Sequence, residues 1–330
     1  MKIKIRSIEK YLPGEKISSS SLDKIADIPQ GRIEKNTGVK FRYHAPTTES
    51  VCEMGAKALQ KSLITAELNA SDIDFLIFTG GSFDYPIPSN SVVIKSKITD
   101  DSIIFPCIDI DSTCLSFING LDIAHLYLET KRYKRIAIVC SEMSSRALNP
   151  KDEKTFGLLG DAAVAMIIEY SENDFGYESK YVNFVNYPSG AMLANVQIGG
   201  AINRGRYENF DNPGYFFQMD GKKLIRLIQK YLGEFIKTME DSSKLKLTDF
   251  EHIIAHQTSK FGMEYFLKTF NLDKTKIVET LSDYGNCISA SIPLGLEKIF
   301  NDKNISLQNK NILLIGTASG LSIGSMILKF

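Results

Sequence analysis

The sequence predicts a layered α/β sandwich of αβαβα type, built from two duplicated halves. Several short runs are apolar almost throughout, which is typical of strands in a sheet covered on both faces. Two longer segments are apolar nearly all round, which is typical of helices inside a protein. A strand, a helix and two further strands follow in the same order twice along the 330 residues. We therefore expect an N-terminal half, 1–172, and a C-terminal half, 173–330.

The elements of the first half follow from its apolar runs. SDIDFLIFTGGS (71–82) predicts a buried strand, and STCLSFINGLDIAHLYLE (112–129) predicts a helix that begins at Cys114. YKRIAIVCSE (133–142) and GDAAVAMIIE (160–169) predict two more strands. Because apolar side chains recur on every side of the helix, we expect it between two sheets.

The second half repeats this order. TDFEHIIAHQTS (248–259) predicts a strand, and YGNCISASIPLGLEKIF (284–300) predicts the second buried helix. NKNILLIGTASG (309–320) and GLSIGSMILKF (320–330) predict the closing strands. The stretch from about Tyr181 to Tyr215 is rich in Gly, Asn, Pro and aromatic residues, so we expect a long irregular excursion, a common form of wall or lid.

Composition excludes several classes of protein. The 39 basic and 39 acidic residues balance, which argues against nucleic-acid or membrane-surface binding. The N-terminal segment lacks the apolar stretch of a signal peptide, and no apolar run approaches the roughly 18 residues of a membrane span. The five cysteines are scattered without CxxC spacing, so a disulfide framework or zinc site is not expected. These observations predict a cytoplasmic protein without a metal.

Three residues fall at related places in the two halves. Cys114 opens the buried helix of the first half, Asn286 opens that of the second, and His256 ends the strand EHIIAH. Strand ends and helix starts on one side of such a sheet are where ligands bind, so we expect the three to meet. The partial positive charge at a helix N-terminus favours the reactive thiolate of Cys114.

Each residue also has an ordinary structural interpretation. A buried cysteine is a common packing residue, an asparagine before a helix is commonly an N-cap, and a histidine can be a satisfied polar group. Their joint placement favours chemistry instead. The main-chain N–H groups of Cys114 and of the turn GTASG (316–320) could stabilise an oxyanion, and His256 and Asn286 could donate hydrogen bonds to a second carbonyl.

These motifs resemble the thiolase superfamily, and within it the β-ketoacyl-ACP synthase III branch. The resemblance covers nearly the whole chain, through NTGVKFRYHA, STCLSF, GLLGDAAVAMIIE, AHQTS, YGNCISASIPLGL and GTASGLSIGSMILKF. It implies a thiolase-like fold, with Cys114 as the nucleophile, His256 and Asn286 as catalytic partners, and Ser319 at the second oxyanion donor's place.

The resemblance also implies a reaction and its partners. An acyl group passes from a thioester donor to Cys114, and malonyl-ACP loses CO2 and condenses with it to give a β-ketoacyl thioester. CoA and acyl carrier protein thioesters are the substrates, and no metal or redox cofactor is needed. The implied assembly is a homodimer in which Ile87 gates the neighbouring subunit's acyl pocket. The other pocket residues expected are Phe117, Met192, Phe217 and Met219.

The chain departs from the family pattern where CoA binds. It contains no Trp, and Arg32 stands where the family stacks a Trp on adenine. Asn36 and Phe261 replace two family arginines. Basic residues remain where a carrier protein would dock, although a solvated helix face is the alternative interpretation; they are Lys222, Lys223, Arg226, Lys260 and Lys268. These departures favour a specialised member, as in secondary metabolism, and leave open whether the donor is CoA- or ACP-bound.

Three other functions are consistent with parts of this pattern. The same triad would serve an acyltransferase that acts on a hydroxyl or amine, or an enzyme that condenses two acyl thioesters. A papain-like hydrolase also uses Cys, His and Asn, but its sequence signature around the cysteine is absent. A non-catalytic subunit would have no reason to retain all three residues.

Overall fold

The computed structural model describes residues 2–152, 155–171, 176–201 and 212–330. Nine α-helices lie within these ranges: α1 (Ser19–Ile25), α2 (Arg32–Thr37), α3 (Val51–Thr65), α4 (Asn90–Ile98), α5 (Ser116–Glu129), α6 (Gly221–Ser243), α7 (Lys260–Thr269), α8 (Leu281–Tyr284) and α9 (Ser291–Phe300).

Thirteen strands lie within the same described ranges. They are β1 (Ile3–Tyr11), β2 (Lys16–Ser18), β3 (Phe41–Tyr43), β4 (Phe75–Thr79), β5 (Cys107–Ile110), β6 (Arg135–Glu142), β7 (Ala162–Tyr170), β8 (Glu178–Asn186), β9 (Ala194–Asn195), β10 (Gln218–Met219), β11 (His252–Ala255), β12 (Asn311–Ala318) and β13 (Ser322–Lys329).

Two sheets form the β layers. The first has the order β1-β7-β6-β4-β5, with β4 parallel to both β5 and β6. The second has the order β11-β12-β13-β8, with β11 parallel to β12. The described strands of the first sheet all precede those of the second along the chain. The predicted boundary at 172/173 lies outside the described residues.

Three apolar clusters hold the layers together. One lies between the two sheets and contains the buried faces of α5 and α9. A second packs α3 against the outer face of the first sheet, and a third packs α6 and α7 against the outer face of the second. This alternation of helix and sheet layers confirms the predicted αβαβα sandwich.

The structure corrects two of the predicted elements. Strand β8 occupies Glu178–Asn186, so the expected irregular excursion begins later than Tyr181. Helix α5 begins at Ser116 rather than at Cys114 and is not buried on every side, because Leu126 is 53% exposed. Among the described residues, no helix is long and apolar enough to cross a membrane.

Candidate active site

A single cavity of about 1020 Å³ brings the three predicted catalytic residues together. Cys114, His256 and Asn286 all contribute to its lining. All three are nearly buried, with 8%, 6% and 7% of their surface exposed. The two halves of the chain therefore bring the three predicted catalytic side chains to one place, as the sequence predicted.

Cys114 lies in the short 3-10 turn Thr113–Leu115, which leads directly into α5. Thr113 has a φ of 50°, an unfavourable value for a β-branched residue, and this geometry turns the chain sharply between β5 and the helix. The Ser116 hydroxyl accepts a hydrogen bond from the Ser112 N–H at 2.8 Å and donates to the Thr113 carbonyl at 2.6 Å. The Ser116 side chain thus stabilises the turn that presents the thiol through hydrogen bonds to Ser112 and Thr113.

The second half contains the same turn, but Asn286 is not the counterpart of Cys114. The 3-10 turn Ile288–Ala290 leads into α9, and Ile288 also has a φ of 50°. The Ser291 hydroxyl accepts from the Cys287 N–H at 3.0 Å, as Ser116 does from Ser112. These shared features pair Cys114 with Ser289. Asn286 precedes the turn, so the sequence located it correctly near the helix but in a different geometric position.

Burial dominates the electrostatics of the thiol. Desolvation first, and then the Glu142 carboxylate, raise the pKa of Cys114 to about 12. The main-chain N–H groups of Ser319 and Cys114 oppose that rise, as does the Thr113 hydroxyl. The helix N-terminus therefore does not lower the pKa of the free thiol below its ordinary value, contrary to the expectation from sequence. The same two N–H groups are the predicted oxyanion donors, and Ser319 also lines the cavity.

His256 directly follows β11, and its main-chain N–H donates to the Ile315 carbonyl at 2.8 Å. Neither ring nitrogen has a hydrogen-bond partner among the described residues. Burial lowers the pKa of His256 to about 4, so the imidazole is neutral at pH 7. A neutral, unpartnered imidazole in a cavity is able to donate one hydrogen bond to a bound carbonyl or enolate oxygen.

Asn286 is positioned by the other half of the chain. Its N–H donates to the Leu158 carbonyl at 2.9 Å, and its carbonyl accepts from the Gly160 N–H at 3.1 Å. Its Oδ1 accepts from the Ile288 N–H at 2.9 Å, so the side-chain NH2 group is the part that can serve a ligand. The hydrogen bond from the Gly160 N–H to the Asn286 carbonyl requires a glycine at 160. A Cβ added there would lie 2.1 Å from the Tyr284 carbonyl oxygen.

The predicted acyl-pocket residues divide into three groups. Phe217 and Met219 line the cavity. Phe117 does not, because it is 1% exposed within the central apolar cluster. Ile87 and Met192 are 85% and 72% exposed and also lie outside the lining.

The predicted donor-docking residues are less closely grouped. Asn36 lines the cavity, whereas Arg32 is an exposed residue at the start of α2 and does not. Arg226 on α6 and both Lys260 and Lys268 on α7 are exposed and lie outside the cavity lining, on two helices that otherwise contribute to it. Their proposed docking role stays a prediction.

Sequence reasoning missed three residues of the cavity. Arg146 is an exposed cation in the cavity lining. Phe261, which sequence reasoning considers only as the replacement of a family arginine, contributes an apolar side chain that is 54% exposed. Glu142 is a carboxylate in the lining that is only 1% exposed. A glutamate at the end of the apolar run RIAIVCSE was the one available signal, since charged residues are rarely buried without a role.

Two segments of the chain match family models. Residues 108–183 match the model described as 3-oxoacyl-(acyl-carrier-protein) synthase III, and residues 241–330 match the model of its C-terminal part. Similar curated proteins are the β-ketoacyl-(acyl-carrier-protein) synthases III of Chlamydia trachomatis and Neisseria gonorrhoeae. The first is 26% identical, over 100% of this chain and 99% of the relative. The second is 29% identical, over 99% of each.

Solved structures share the fold over the full length. A 3-oxoacyl-(acyl-carrier-protein) synthase III from Aquifex aeolicus superimposes with a TM-score of 0.86 at 23% identity, over 99% of this chain and 100% of that one. A variant of OleA from Xanthomonas campestris also superimposes with a TM-score of 0.86, at 20% identity, over 100% of this chain and 97% of that one. At these identities the superpositions show the thiolase-like fold.

Proposed function

This chain belongs to the β-ketoacyl-ACP synthase III family, and from that premise we propose that it catalyses a decarboxylative condensation of two thioesters. The observation that carries the proposal is the shared cavity of Cys114, His256 and Asn286. Cys114 would supply the nucleophile of the first step, and His256 and Asn286 would supply the hydrogen-bond donors of the second.

The first step loads Cys114. Its sulfur attacks the carbonyl carbon of an acyl thioester, the bond to the donor's sulfur breaks, and the donor thiol leaves with a proton. The main-chain N–H groups of Cys114 and Ser319 would stabilise the oxyanion, because both already interact favourably with negative charge at the thiol. Since burial holds Cys114 as a thiol, loading requires its proton to leave as the new bond forms.

The second step forms the carbon–carbon bond. Malonyl thioester loses CO2, and the electron pair of the broken bond becomes an enolate. The neutral His256 imidazole and the NH2 group of Asn286 would donate to the enolate oxygen. The enolate carbon attacks the acyl carbonyl on Cys114, the carbon–sulfur bond breaks, and the released Cys114 thiolate takes up a proton from solvent. This proposed sequence uses thioesters alone and no metal or redox cofactor.

The proposed partners follow from the surface beside the cavity. The exposed cations of α6 and α7 favour an acidic carrier protein as the bearer of malonyl groups, and of the acyl donor if the donor is not CoA. Arg146 offers one further cation at the cavity for a phosphate. The 85% exposure of Ile87 supports the proposed homodimer, in which this side chain would enter the neighbouring subunit's pocket.

The lost Trp and the apolar Phe261 favour a specialised acyl donor over acetyl-CoA. The test compares acyl-CoA and acyl-ACP series of increasing chain length by intact-protein mass spectrometry, followed by CO2 release from malonyl-ACP. Acyl-enzyme with CO2 release supports the condensation. Acyl-enzyme that passes its acyl group to a hydroxyl or amine without CO2 release would instead establish an acyltransferase.

A further inference from the structure

We infer that Glu142 is a positioning residue, which holds the turn of Cys114 and the turn after Asn286 in register across the two halves of the fold. The inference rests on the proposed function, because it assigns Glu142 to the condensation step. It goes beyond that function because Glu142 need not touch either substrate to act.

The Glu142 carboxylate is fully engaged by hydrogen-bond donors. Its Oε1 accepts from the Gly81 N–H at 2.9 Å and from the Ser289 hydroxyl at 2.6 Å. Its Oε2 accepts from the N–H and the hydroxyl of Ser82, at 3.1 Å and 2.6 Å. Burial raises the pKa of Glu142, but the donors from Ser289, Ser82 and Gly81 oppose the rise and favour the ionised form. Charge-assisted hydrogen bonds of this kind fix the groups that make them.

One end of this connection reaches the nucleophile. Gly81 follows β4 and lies beside the turn of Cys114, since a Cβ built on Gly81 would lie 3.9 Å from the Thr113 Cα. It would also lie 3.7 Å from the Asp111 Oδ1. The segment fixed by Glu142 therefore lies next to the residue immediately before Cys114, and Gly81 and Thr113 both line the cavity.

The other end reaches the second half. Ser289 is fully buried, belongs to the turn Ile288–Ala290, and follows Asn286 by three residues. Its oxygen lies 3.0 Å from the Cys140 Sγ. Because the Ser289 hydroxyl donates to Glu142, the Cys140 thiol is left to donate to Ser289. Ser289, the counterpart of Cys114 in the second half, thus donates a hydrogen bond to a buried carboxylate of the first half.

This connection matters most for condensation. Loading uses Cys114 and the N–H groups close to it. Condensation additionally requires that an enolate held by His256 and Asn286 reach the acyl carbon on Cys114, and small displacements of reacting groups are costly. Loss of the Ser289–Glu142 bond should therefore affect condensation more than loading.

The test uses Ser289→Ala, with Ser325→Ala as the matched control. Ser325 is an equally buried serine in β13 whose hydroxyl has no partner among the described residues. For Ser289→Ala we expect loading within about threefold of the unsubstituted enzyme, and condensation kcat lower by about 10- to 100-fold with an unchanged KM for malonyl-ACP. Ser325→Ala should change neither rate. Equal losses in both steps, or no loss in condensation, would overturn the inference.

Hydrogen exchange provides a readout that needs no reaction. If Glu142 couples the halves, Ser289→Ala should accelerate amide exchange in the peptide that contains Gly81 and Ser82, whereas Ser325→Ala should not. Unchanged exchange there would refute the coupling, even in a protein with normal activity. Absence of CO2 release by the unsubstituted enzyme would refute the proposed function instead, so the two failures can be distinguished.

Discussion

Acid should destabilise this protein through His256. In an unfolded chain a histidine has a pKa of about 6.5. In the folded protein, burial lowers the pKa of His256 to about 4. Between these values the unfolded chain binds a proton that the folded chain does not. The free energy of unfolding is therefore unaffected by His256 above about pH 6.5, falls as the pH drops towards 4, and levels off below that.

The magnitude follows from the distance between the two pKa values. At pH 5, about 1.5 pH units below the pKa of the unfolded-state histidine, protonation stabilises the unfolded chain by about 1.4 kcal/mol for each of those units. It stabilises the folded chain by almost nothing, because pH 5 lies above the folded-state pKa of about 4. His256 should therefore cost about 2 kcal/mol of stability at pH 5 relative to pH 7, and about 3 kcal/mol once the pH is below 4. The effect applies to a side chain that is 6% exposed, so solvent screening is small.

Urea unfolding followed by circular dichroism at pH 7 and pH 5 measures this cost. His256→Asn keeps a polar side chain that does not titrate, so it should lose about 2 kcal/mol less than the unsubstituted protein between the two pH values. His252→Asn, at the other end of β11, is the control. His252 is only partly buried, and burial lowers its pKa as well, so its replacement should have a smaller effect in the same direction. An equal loss of stability in His256→Asn and the unsubstituted protein would refute the reasoning.

Further predictions concern the proposed nucleophile, the proposed catalytic histidine and two close-packed glycines. Cys114→Ala should abolish acyl-enzyme formation in intact-mass measurements, whereas His256→Ala should retain much of the loading and lose CO2 release. Gly316→Ala places a Cβ 3.0 Å from the His256 Cβ and should lower condensation by about 10- to 100-fold in steady-state assays, with normal rates contradicting the proposed role of His256. Gly120→Ala places a Cβ 2.3 Å from the Thr79 Cγ2 in the central core, and should cost about 1–3 kcal/mol in urea unfolding; an unchanged or raised stability would mean that helix propensity outweighs the overpacking.

The sequence was sufficient for the sandwich because its central strands are unambiguous. Runs such as FLIF and RIAIV are apolar on both faces, and the second half repeats the order of the first. Strand β8 was missed because its residues are mostly half-buried and polar or aromatic side chains dominate it, so it lacks an apolar run. Antiparallel pairing with β13 stabilises this segment as a strand, although its own sequence does not indicate one.

The site was predictable where residue type and position agreed, as for Cys114, His256 and Asn286. Side-chain direction was not predictable. Phe117 lies only three residues after Cys114, yet the 3-10 turn and the start of α5 direct it into the core instead of the cavity. The equivalence of Ser289 with Cys114 depends on two backbone turns with unfavourable φ values, which no pattern of hydrophobic residues reveals.

The raised pKa of Cys114 likewise depended on the fold. A helix start favours a thiolate, but burial and the nearby Glu142 outweigh that effect. Neither the burial of Cys114 nor the approach of Glu142 from β6 could be judged from local sequence.

The central claim is that Cys114 carries an acyl group which a malonyl thioester then accepts with loss of CO2. Intact-protein mass spectrometry after incubation with matched acyl-CoA and acyl-ACP series tests it most directly, with Cys114→Ala as control and malonyl-ACP added in a second stage. We expect a mass increase equal to the acyl group, absent from Cys114→Ala, and its disappearance with CO2 release when malonyl-ACP is added. An unlabelled protein across both series, or a label that persists in Cys114→Ala, would contradict the account.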